Sequence, residues 1–375
     1  MKLAVIRERR EAEHRVSSSP DSVKKLISLG FNVCVETGAG AGASIPDAQY
    51  EEVGATIGSD LKSTLKDADV IFSVQGLDAA DVKSAKKGAV QLSALNPYLE
   101  KDRLQAYADA GLEAYAMEFV PRITRAQSMD ILSSQSNLAG YKAVLDGASH
   151  FGRAFPMMMT AAGTVPPARV MVMGAGVAGL QAIATAKRLG AIVSATDVRP
   201  AAKEQVESLG GTFVMVEDEE TAEAETAGGY AKEMSDDYKA KQAALIASTL
   251  AKQDIAITTA LIPGRAAPVL ITEDMVKSMK PGSVIVDLAV ENGGNCELSK
   301  PGEVVEVHGV TIVGYRNVPS RLAADASALF ARNLVHFITP HVKDGKLEID
   351  YEDEIIAESL VTKDGAIVHP RLKEE

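Results

Sequence analysis

Residues 169–184, Arg169-Val-Met-Val-Met-Gly174-Ala-Gly176-Val-Ala-Gly179-Leu-Gln-Ala-Ile-Ala184, decide the fold class of this chain. An apolar run of β type passes through a Gly-x-Gly-x-x-Gly turn into an apolar helical pattern. Gly174 permits a tight turn, Gly176 removes a Cβ that would face a bound anion, and Gly179 lets the helix pack closely on the strand. The pattern predicts a site for the diphosphate of a dinucleotide, lined by Gly174, Ala175, Gly176, Val177, Ala178 and Gly179. The alternative is a glycine turn that binds nothing.

A carboxylate follows the next strand-like run. The run AIVSAT ends at Asp197, eighteen residues after Gly179. A carboxylate at this position accepts hydrogen bonds from both hydroxyls of an adenosine ribose and repels the additional phosphate of NADP. Arg199 lies two residues further on and could offset that repulsion. The pattern favours NAD over NADP as the cofactor.

The alternation of strand and helix extends along most of the chain. Apolar β-type runs at 2–6, 31–36, 69–74, 89–92 and 113–117 are separated by helix-compatible segments, and a second series begins at residue 169. We therefore predict an α/β protein with two Rossmann-like domains, whose parallel-type sheets are joined by long helices with a cleft between them. The first domain would comprise 1–134 plus 321–375, and the NAD(H)-binding domain 135–320. A helix over 135–153 would bridge them, and the C-terminal tail would pack back onto the first domain.

Composition and charge exclude several classes of protein. The 375 residues are 46% apolar and 24% charged, as in folded soluble proteins, and a net charge of −12 disfavours nucleic acid as a partner. Cys34 and Cys296 are isolated, so we expect no disulfide framework, no structural metal site and a reducing compartment. Residues 154–186 carry a single charge, but three prolines interrupt them and argue against a transmembrane helix.

A polar segment precedes the bridging helix. Gln127, Asp130 and Ser133 recur at three-residue spacing, so one helical turn would place them on a common face. Arg122, a few residues earlier, could bind a diphosphate or the Asp130 carboxylate. A capping and salt-bridge cluster fits the same spacing, and from spacing alone that interpretation is favoured.

Two further glycine-containing segments have different interpretations. The run Gly38-Ala-Gly40-Ala-Gly42 leads into Ser-Ile-Pro instead of an apolar helix, which predicts a loop. Residues 217–237 hold nine acidic residues and one lysine, and within them Gly228, Gly229 and Tyr230 suggest a hinged flap that could close over bound nucleotide. A solvated insertion without that function is an equal alternative.

Several long stretches resemble domain I of the proton-translocating NAD(P) transhydrogenases, the soluble NAD(H)-binding part of the alpha subunit. They are RERREAEHRVSSSP, RITRAQSMDILSSQSNLAGY, FPMMMTAAGTVPPARVMVMGAGVAGLQAIATAKRLGA, ETAGGYAKEM, TTALIPG and VDLAVENGGNCELS. The resemblance implies a homodimer that binds NAD(H) and exchanges hydride, with Si/Re specificity, with NADP(H) on a separate beta subunit. Membrane-spanning subunits would couple this exchange to proton translocation. The ending HPRLKEE resembles forms whose membrane helices are a separate chain, which implies a cytoplasmic protein held at the inner face of a bacterial membrane by its partners.

The resemblance also implies roles for individual residues. Four of them match a polar loop beside the nicotinamide: Arg122, Gln127, Asp130 and Ser133. Tyr230, preceded by Gly229, matches the tip of a mobile loop and completes the catalytic set. The remaining cofactor contacts would come from the ribose site, Asp197, Val198 and Arg199, and from Ala260 and Leu261.

Alanine dehydrogenase is the nearest relative in fold and the main alternative. It uses a lysine and a histidine on its substrate, and Gln75 and Asn96 fall where those residues would align. Side-chain amides do not act as an acid/base pair, so oxidation of an amino acid is disfavoured. A non-catalytic NADH-binding module is the second alternative.

Overall fold

The computed structural model describes residues 1–216, 235–262 and 264–373. The chain forms two compact units, Met1–Gln135 with Pro319–Glu375 and Ser136–Val318. The boundary between them falls within a 20-residue helix, Ile131–His150. In the described ranges, no helix combines the length and the apolar character needed to cross a bilayer.

The N-terminal part of the first unit alternates short strands and helices. The strands are β1 (Lys2–Val5), β2 (Asn32–Glu36), β3 (Thr56–Gly58), β4 (Val70–Phe72), β5 (Val90–Ser93) and β6 (Glu113–Ala116). The helices are α1 (Pro20–Ser28), α2 (Asp47–Glu52), α3 (Leu61–Leu65), α4 (Lys101–Asp109) and the boundary helix α5 (Ile131–His150). Ser19 and Ser22 form a capping box that starts α1, and Pro20 occupies its first turn. The run at 38–42 is a loop with one 3₁₀ turn, Ala41–Ala43, as predicted.

The second unit repeats this alternation. Its strands are β7 (Met158–Thr160), β8 (Gly163–Val165), β9 (Arg169–Met173), β10 (Ile192–Thr196), β11 (Thr212–Phe213), β12 (Ile255–Thr258), β13 (Val284–Asp287), β14 (Val304–Val307) and β15 (Val310–Val313). Its helices are α6 (Val177–Arg188), α7 (Ala202–Ser208), α8 (Asp236–Leu250) and α9 (Glu273–Ser278). The main sheet has the order β11-β10-β9-β12-β13-β15-β14, and each pairing except β14 with β15 is parallel.

The C-terminal segment completes the first unit. It contains α10 (Ala323–Ile338), β16 (Val342–Lys343), β17 (Lys346–Leu347), α11 (Glu354–Ser359), β18 (Leu360–Lys363), β19 (Ala366–Ile367) and α12 (Pro370–Lys373). β18 pairs with β6 in antiparallel fashion, so the tail extends the sheet to the order β19-β18-β6-β5-β4-β1-β2-β3. The α/β class with two sheets dominated by parallel pairing is confirmed.

Each sheet is covered on both faces. Along β1 and the residue that follows it, Leu3 and Val5 join one apolar cluster, and the alternate residues Ala4 and Ile6 join another. In β9, Val170 and Val172 face one cluster while Met171 and Met173 face the other. Successive side chains of a strand point to opposite faces, so the continuous apolar runs of the sequence are what a sheet buried between helices requires.

Two predicted elements have different limits. The helix predicted over 135–153 starts at Ile131, because the Asp130 carboxylate accepts a hydrogen bond from the Ser133 N–H at 2.9 Å and caps the first turn. The apolar run at 212–216, part of the second series, forms a strand only as far as Phe213. Beyond it, the Val216 N–H donates to the Gln242 side chain at 2.7 Å, so the chain leaves the sheet.

The strand order creates an equivalent position in each sheet. β1 lies between β4 and β2, and β9 lies between β12 and β10. The connections that leave β1 and β4 therefore run in opposite directions, as do those that leave β9 and β12, which opens a crevice at the carboxyl ends of each pair. Ligands of open α/β sheets bind at such crevices, so these two edges are where a site is expected.

Candidate functional site

The glycine turn lies at the carboxyl end of β9. Gly174 has φ +105°, a conformation that a side chain would strain. A Cβ at Gly179 would lie 1.8 Å from the carbonyl oxygen of Gly174, so α6 packs directly on the turn. A Cβ at Gly176 would have no described atom within 4 Å, so that side of the turn is open. Each glycine thus has the geometry that its place in the motif predicts.

The first turn of α6 faces this open side. Gly176 is the N-cap residue, and no side chain in the described part of the chain caps the helix. The amide N–H groups at the start of a helix lack partners within it and carry a partial positive charge. The turn can therefore accept an anionic group such as a diphosphate.

Asp197 closes one end of the turn. Its Oδ2 accepts a hydrogen bond from the Ala175 N–H at 2.7 Å, and its Oδ1 accepts from the N–H and the Nε of Arg199, each at 2.9 Å. Burial opposes ionisation, but the bonds from Arg199 and Ala175 outweigh it and lower the pKa of Asp197. The carboxylate is therefore ionised at neutral pH, and a ribose hydroxyl would compete for it with the half-exposed Arg199 side chain.

Exposed apolar residues flank the same edge. Val198 is 87% exposed and follows β10, while Leu261 is 54% exposed and follows β12. These strands are the two neighbours of β9, so both residues lie at the carboxyl edge that carries the glycine turn. Large apolar side chains left open to solvent beside an anion site suit a ligand with flat apolar rings. Those predicted contacts of the second unit that the structure describes therefore share one edge of its sheet.

Two side chains that the sequence analysis did not single out, the half-buried Thr259 and the buried Asn295, join the loops of this edge. The Thr259 hydroxyl donates to the Gly174 carbonyl at 3.1 Å. The Asn295 amide bonds the backbone of Ala260 on both sides, with its Oδ1 3.0 Å from the Ala260 N–H. The stretches TTALIPG and VDLAVENGGNCELS contain these residues, but neither stretch by itself shows that the two meet.

The polar segment of the first unit forms a 3₁₀ helix, Thr124–Met129, followed by the cap of α5. Asp130 accepts from the Ser133 N–H at 2.9 Å and from its hydroxyl at 2.5 Å. The capping interpretation is therefore correct for this pair, and a single α-helical face is wrong, because the 3₁₀ helix ends before Asp130. The exposed side chains of Arg122 and Gln127 form no hydrogen bond or ion pair with any residue in the described ranges.

Residues of the C-terminal segment hold this polar segment in place. Arg125 forms a two-bond ion pair with Asp353, at 2.6 and 3.0 Å. The Asn333 amide donates to the Ser128 carbonyl at 2.7 Å and accepts from the Ser134 hydroxyl at 2.8 Å. These partners are about two hundred residues apart in the chain, so no local sequence signal could have identified them. Gly228, Gly229 and Tyr230 of the predicted flap lie outside the described residues.

The two sheets and the open glycine turn define a class, the Rossmann-like α/β proteins built of two units. The chain belongs to the alanine dehydrogenase/PNT family: the model of the family's N-terminal domain matches residues 4–139, and that of its C-terminal domain matches residues 143–370. The family models divide the chain in linear order, whereas in the folded molecule the segment from Pro319 onward belongs to the first unit.

Individual relatives agree with this assignment. The chain is 62% identical over 379 residues to a Rhodospirillum rubrum protein named as the first part of NAD(P) transhydrogenase subunit alpha, covering 99% of each chain. A crystal structure of transhydrogenase from Sinorhizobium meliloti is 54% identical, with a TM-score of 0.91 over 98% of this chain and 100% of that one. A structure of L-alanine dehydrogenase is 26% identical, with a TM-score of 0.81 over 100% of this chain and 98% of the other. The resemblance to the transhydrogenases inferred from sequence motifs is thus confirmed.

Proposed function

We propose that the chain is the NAD(H)-binding catalytic component of a proton-translocating NAD(P) transhydrogenase. The observation that carries this proposal is the open glycine turn, which ends at an ionised Asp197 in the second unit. The names of the relatives support the reaction, and the geometry supports the unphosphorylated coenzyme, because a 2′-phosphate would be repelled by that carboxylate.

The partners follow from the same reaction. NADP(H) would be held by a separate beta subunit, and membrane-spanning subunits would couple hydride transfer to proton movement. We propose that the chain acts as a homodimer at the inner face of the bacterial cytoplasmic membrane, attached through these subunits. The word "subunit" in the name of the Rhodospirillum rubrum relative supports a multi-chain assembly.

The residues of this chain would bind and orient the coenzyme. Bound NAD(H) supplies or accepts a hydride at its nicotinamide ring. The backbone from Gly174 to Gly179 would hold the diphosphate, and Asp197 would hold the adenosine ribose after displacing Arg199. Side chains matched to the nicotinamide loop, Arg122, Gln127, Asp130 and Ser133, would orient the ring, and Gly229 and Tyr230 would help to exclude water. Hydride exchange between two nicotinamides moves no proton at the reacting carbons. The reaction therefore needs no general acid or base among these side chains.

The side chains of the first unit argue against an alanine-dehydrogenase reaction. The Gln75 amide donates to Glu13 Oε2 at 2.9 Å, and the Gln75 N–H donates to Glu8 Oε2 at 3.2 Å. Gln75 is thus held by two acidic residues, and neither it nor Asn96 can exchange a proton with a substrate near neutral pH. A non-catalytic NADH-binding module would use the same glycine turn, so only an assay separates it from the transhydrogenase component.

One set of assays distinguishes the three functions. Mixed with a beta-subunit nucleotide domain, the chain should reduce an NAD analogue with NADPH. An alanine dehydrogenase would make NADH from alanine and NAD without that partner, and a binding module would bind NADH and catalyse neither reaction. Absence of transhydrogenation in the presence of bound NADH would refute the catalytic proposal.

Gln127 provides a sharper test. Gln127→Asn shortens an exposed side chain that makes no bond to the described residues, so folding should be unaffected. We expect hydride transfer to slow by about tenfold while the dissociation constant of NADH stays within about twofold, because only ring orientation changes. Stopped-flow measurement of transfer and fluorescence titration of NADH give the two numbers. A variant with the full rate would remove Gln127 from the site.

A further inference from the structure

The segment that follows β12 has a backbone that is already engaged within the protein. The Ala260 N–H donates to Asn295 Oδ1 at 3.0 Å, and Asn295 Nδ2 donates to the Ala260 carbonyl at 2.9 Å and to the Pro268 carbonyl at 2.8 Å. One side-chain amide therefore binds both polar groups of a single residue. The next residue, Leu261, exposes 54% of its surface at the edge that carries the glycine turn.

Asn295 is itself fixed by its surroundings. It is fully buried, its N–H donates to Asp287 Oδ2 at 2.9 Å, and its carbonyl accepts from the N–H groups of Leu270 and Ile271. The Asp287 carboxylate also accepts from the Cys296 N–H at 3.0 Å and from the Ser299 hydroxyl at 2.7 Å. The loop that carries Asn295 is thus gathered around one buried carboxylate at the end of β13.

The donors and the acceptor of the Asn295 side-chain amide explain why an asparagine is needed at this position. Its NH₂ group has two donors, and both are used on carbonyls, while its oxygen accepts from an N–H. Rotating the amide by 180° would place its NH₂ group against the Ala260 N–H and its oxygen against two carbonyls, so the orientation is determined. Aspartate, leucine or alanine would leave at least two of these partly buried backbone groups without the amide, at a cost of at most about 1–3 kcal/mol for each group.

We infer that Asn295 is a positioning residue, which holds Ala260 so that Leu261, and not the Ala260 backbone, contacts the dinucleotide. The inference rests on the proposed function and refines it, because Ala260 and Leu261 were both expected to bind the cofactor. The N–H and carbonyl of Ala260 are occupied by Asn295, so recognition at this point passes to the exposed side chain that follows. The contact would lie beyond the adenosine half of the ligand, since Asp197 is at the other neighbour of β9.

Asn295→Asp tests the amide by changing only its NH₂ group. At high pH the new carboxylate faces two carbonyls and repels them, whereas its protonated form regains one donor. The titratable groups of the loop are Glu291, Cys296 and Glu297, and the buried Asp287 at the end of β13 accepts from the Asn295 N–H. Burial beside Asp287 would keep the new carboxyl protonated to higher pH than usual. The variant should therefore improve as the pH falls.

The measurement is a fluorescence titration of NADH into the intact chain at pH 5.5 and 8.5, with AMP binding followed in parallel. We expect Asn295→Asp to raise the dissociation constant of NADH by about tenfold at pH 8.5 and by about threefold or less at pH 5.5, with AMP within about twofold of wild type. Asn292→Asp makes the same charge change at an exposed position of the same loop and should leave both ligands unaffected. Equal weakening of AMP and NADH, or no effect at either pH, would overturn the inference.

A second variant covers the case in which Asn295→Asp does not fold. Leu261→Ala removes an exposed side chain, and we expect a loss of about fivefold in NADH affinity with AMP unchanged. Unchanged NADH affinity in this variant would refute the inference while leaving the proposed function intact. Wild-type protein that fails to bind NADH would refute the proposed function and the inference together.

Discussion

The carboxyl edges of the two sheets have the same topology and opposite chemistry. In the first unit, Glu8 accepts from the Val74 N–H at 2.6 Å and from the Gln75 N–H at 3.2 Å, so a side chain of the protein occupies the loop that follows β4. Glu118 does the same for the loop after β5, where the Leu95 N–H is 2.9 Å from its Oε1. In the second unit, Asp197 accepts a hydrogen bond from one N–H of the glycine turn, that of Ala175. No side chain in the described ranges caps the start of α6.

The difference shows that the fold provides the crevice and the side chains decide whether it is open to a ligand. Burial, reinforced by Glu13, raises the pKa of Glu8 to about 7, and burial also raises the pKa of Glu118. Glu8 and Glu118 therefore take the place of an external anion at these loops, and their raised pKa values reduce the free-energy cost of burying a charge there. Asp197 has a lowered pKa and retains its charge, as recognition of a neutral ribose requires.

The largest expected effect comes from deforming the glycine turn at the open edge. In Gly179→Ala, the new Cβ would lie 1.8 Å from the Gly174 carbonyl oxygen, so the turn or the start of α6 must shift. We expect NADH to bind at least about 100-fold more weakly, which corresponds to about 2.7 kcal/mol. Titration of NADH by fluorescence measures this loss. Gly152→Ala, whose Cβ would meet no described atom within 4 Å, is the matched control and should bind NADH normally.

A smaller effect is expected from removing the charge at the end of the turn. Asp197→Ala deletes the acceptor proposed for the ribose hydroxyls, so NADH and AMP should each bind about tenfold more weakly, a loss of roughly 1.4 kcal/mol. Isothermal titration of both ligands measures the change. Asp274→Ala removes the same charge from a side chain that is 92% exposed and should have no effect. Unchanged affinity for AMP in Asp197→Ala would disprove the ribose assignment.

The smallest effect concerns the filled edge of the first unit. Because the folded pKa of Glu8 lies near 7, above its ordinary value of 4.5, the native state holds the extra proton and loses stability as the pH rises between these values. In Glu8→Gln this pH dependence should shrink by about 1 kcal/mol, because the half-buried Glu8 side chain loses only part of its contact with solvent. Urea unfolding at pH 5 and pH 8 measures the difference. Identical slopes for Glu8→Gln, wild type and the exposed control Glu52→Gln would show that Glu8 is not protonated in the folded protein.

The parts of the fold that depend on local pattern could be predicted. The capping box before α1, the continuous apolar run of β9 and the glycine spacing after it each depend on neighbours within a few residues. Two short strands were not predicted: β3, which has three residues and ends in glycine, and β14, which has four residues and pairs with β15. β18 and β19 lie in the tail, where their pairing partner β6 is far away in the chain.

The sequence by itself determined that residues 169–197 form a strand, a glycine turn, a helix and a strand ending in a carboxylate, because backbone sterics and apolar periodicity act over a few residues. Only the tertiary structure decided that Asn333 and Asp353 anchor the polar segment and that Asn295 holds Ala260. Those contacts join residues whose meeting depends on how the strands are ordered in each sheet. A buried amide or carboxylate reveals its task only when the backbone groups that it must satisfy are known.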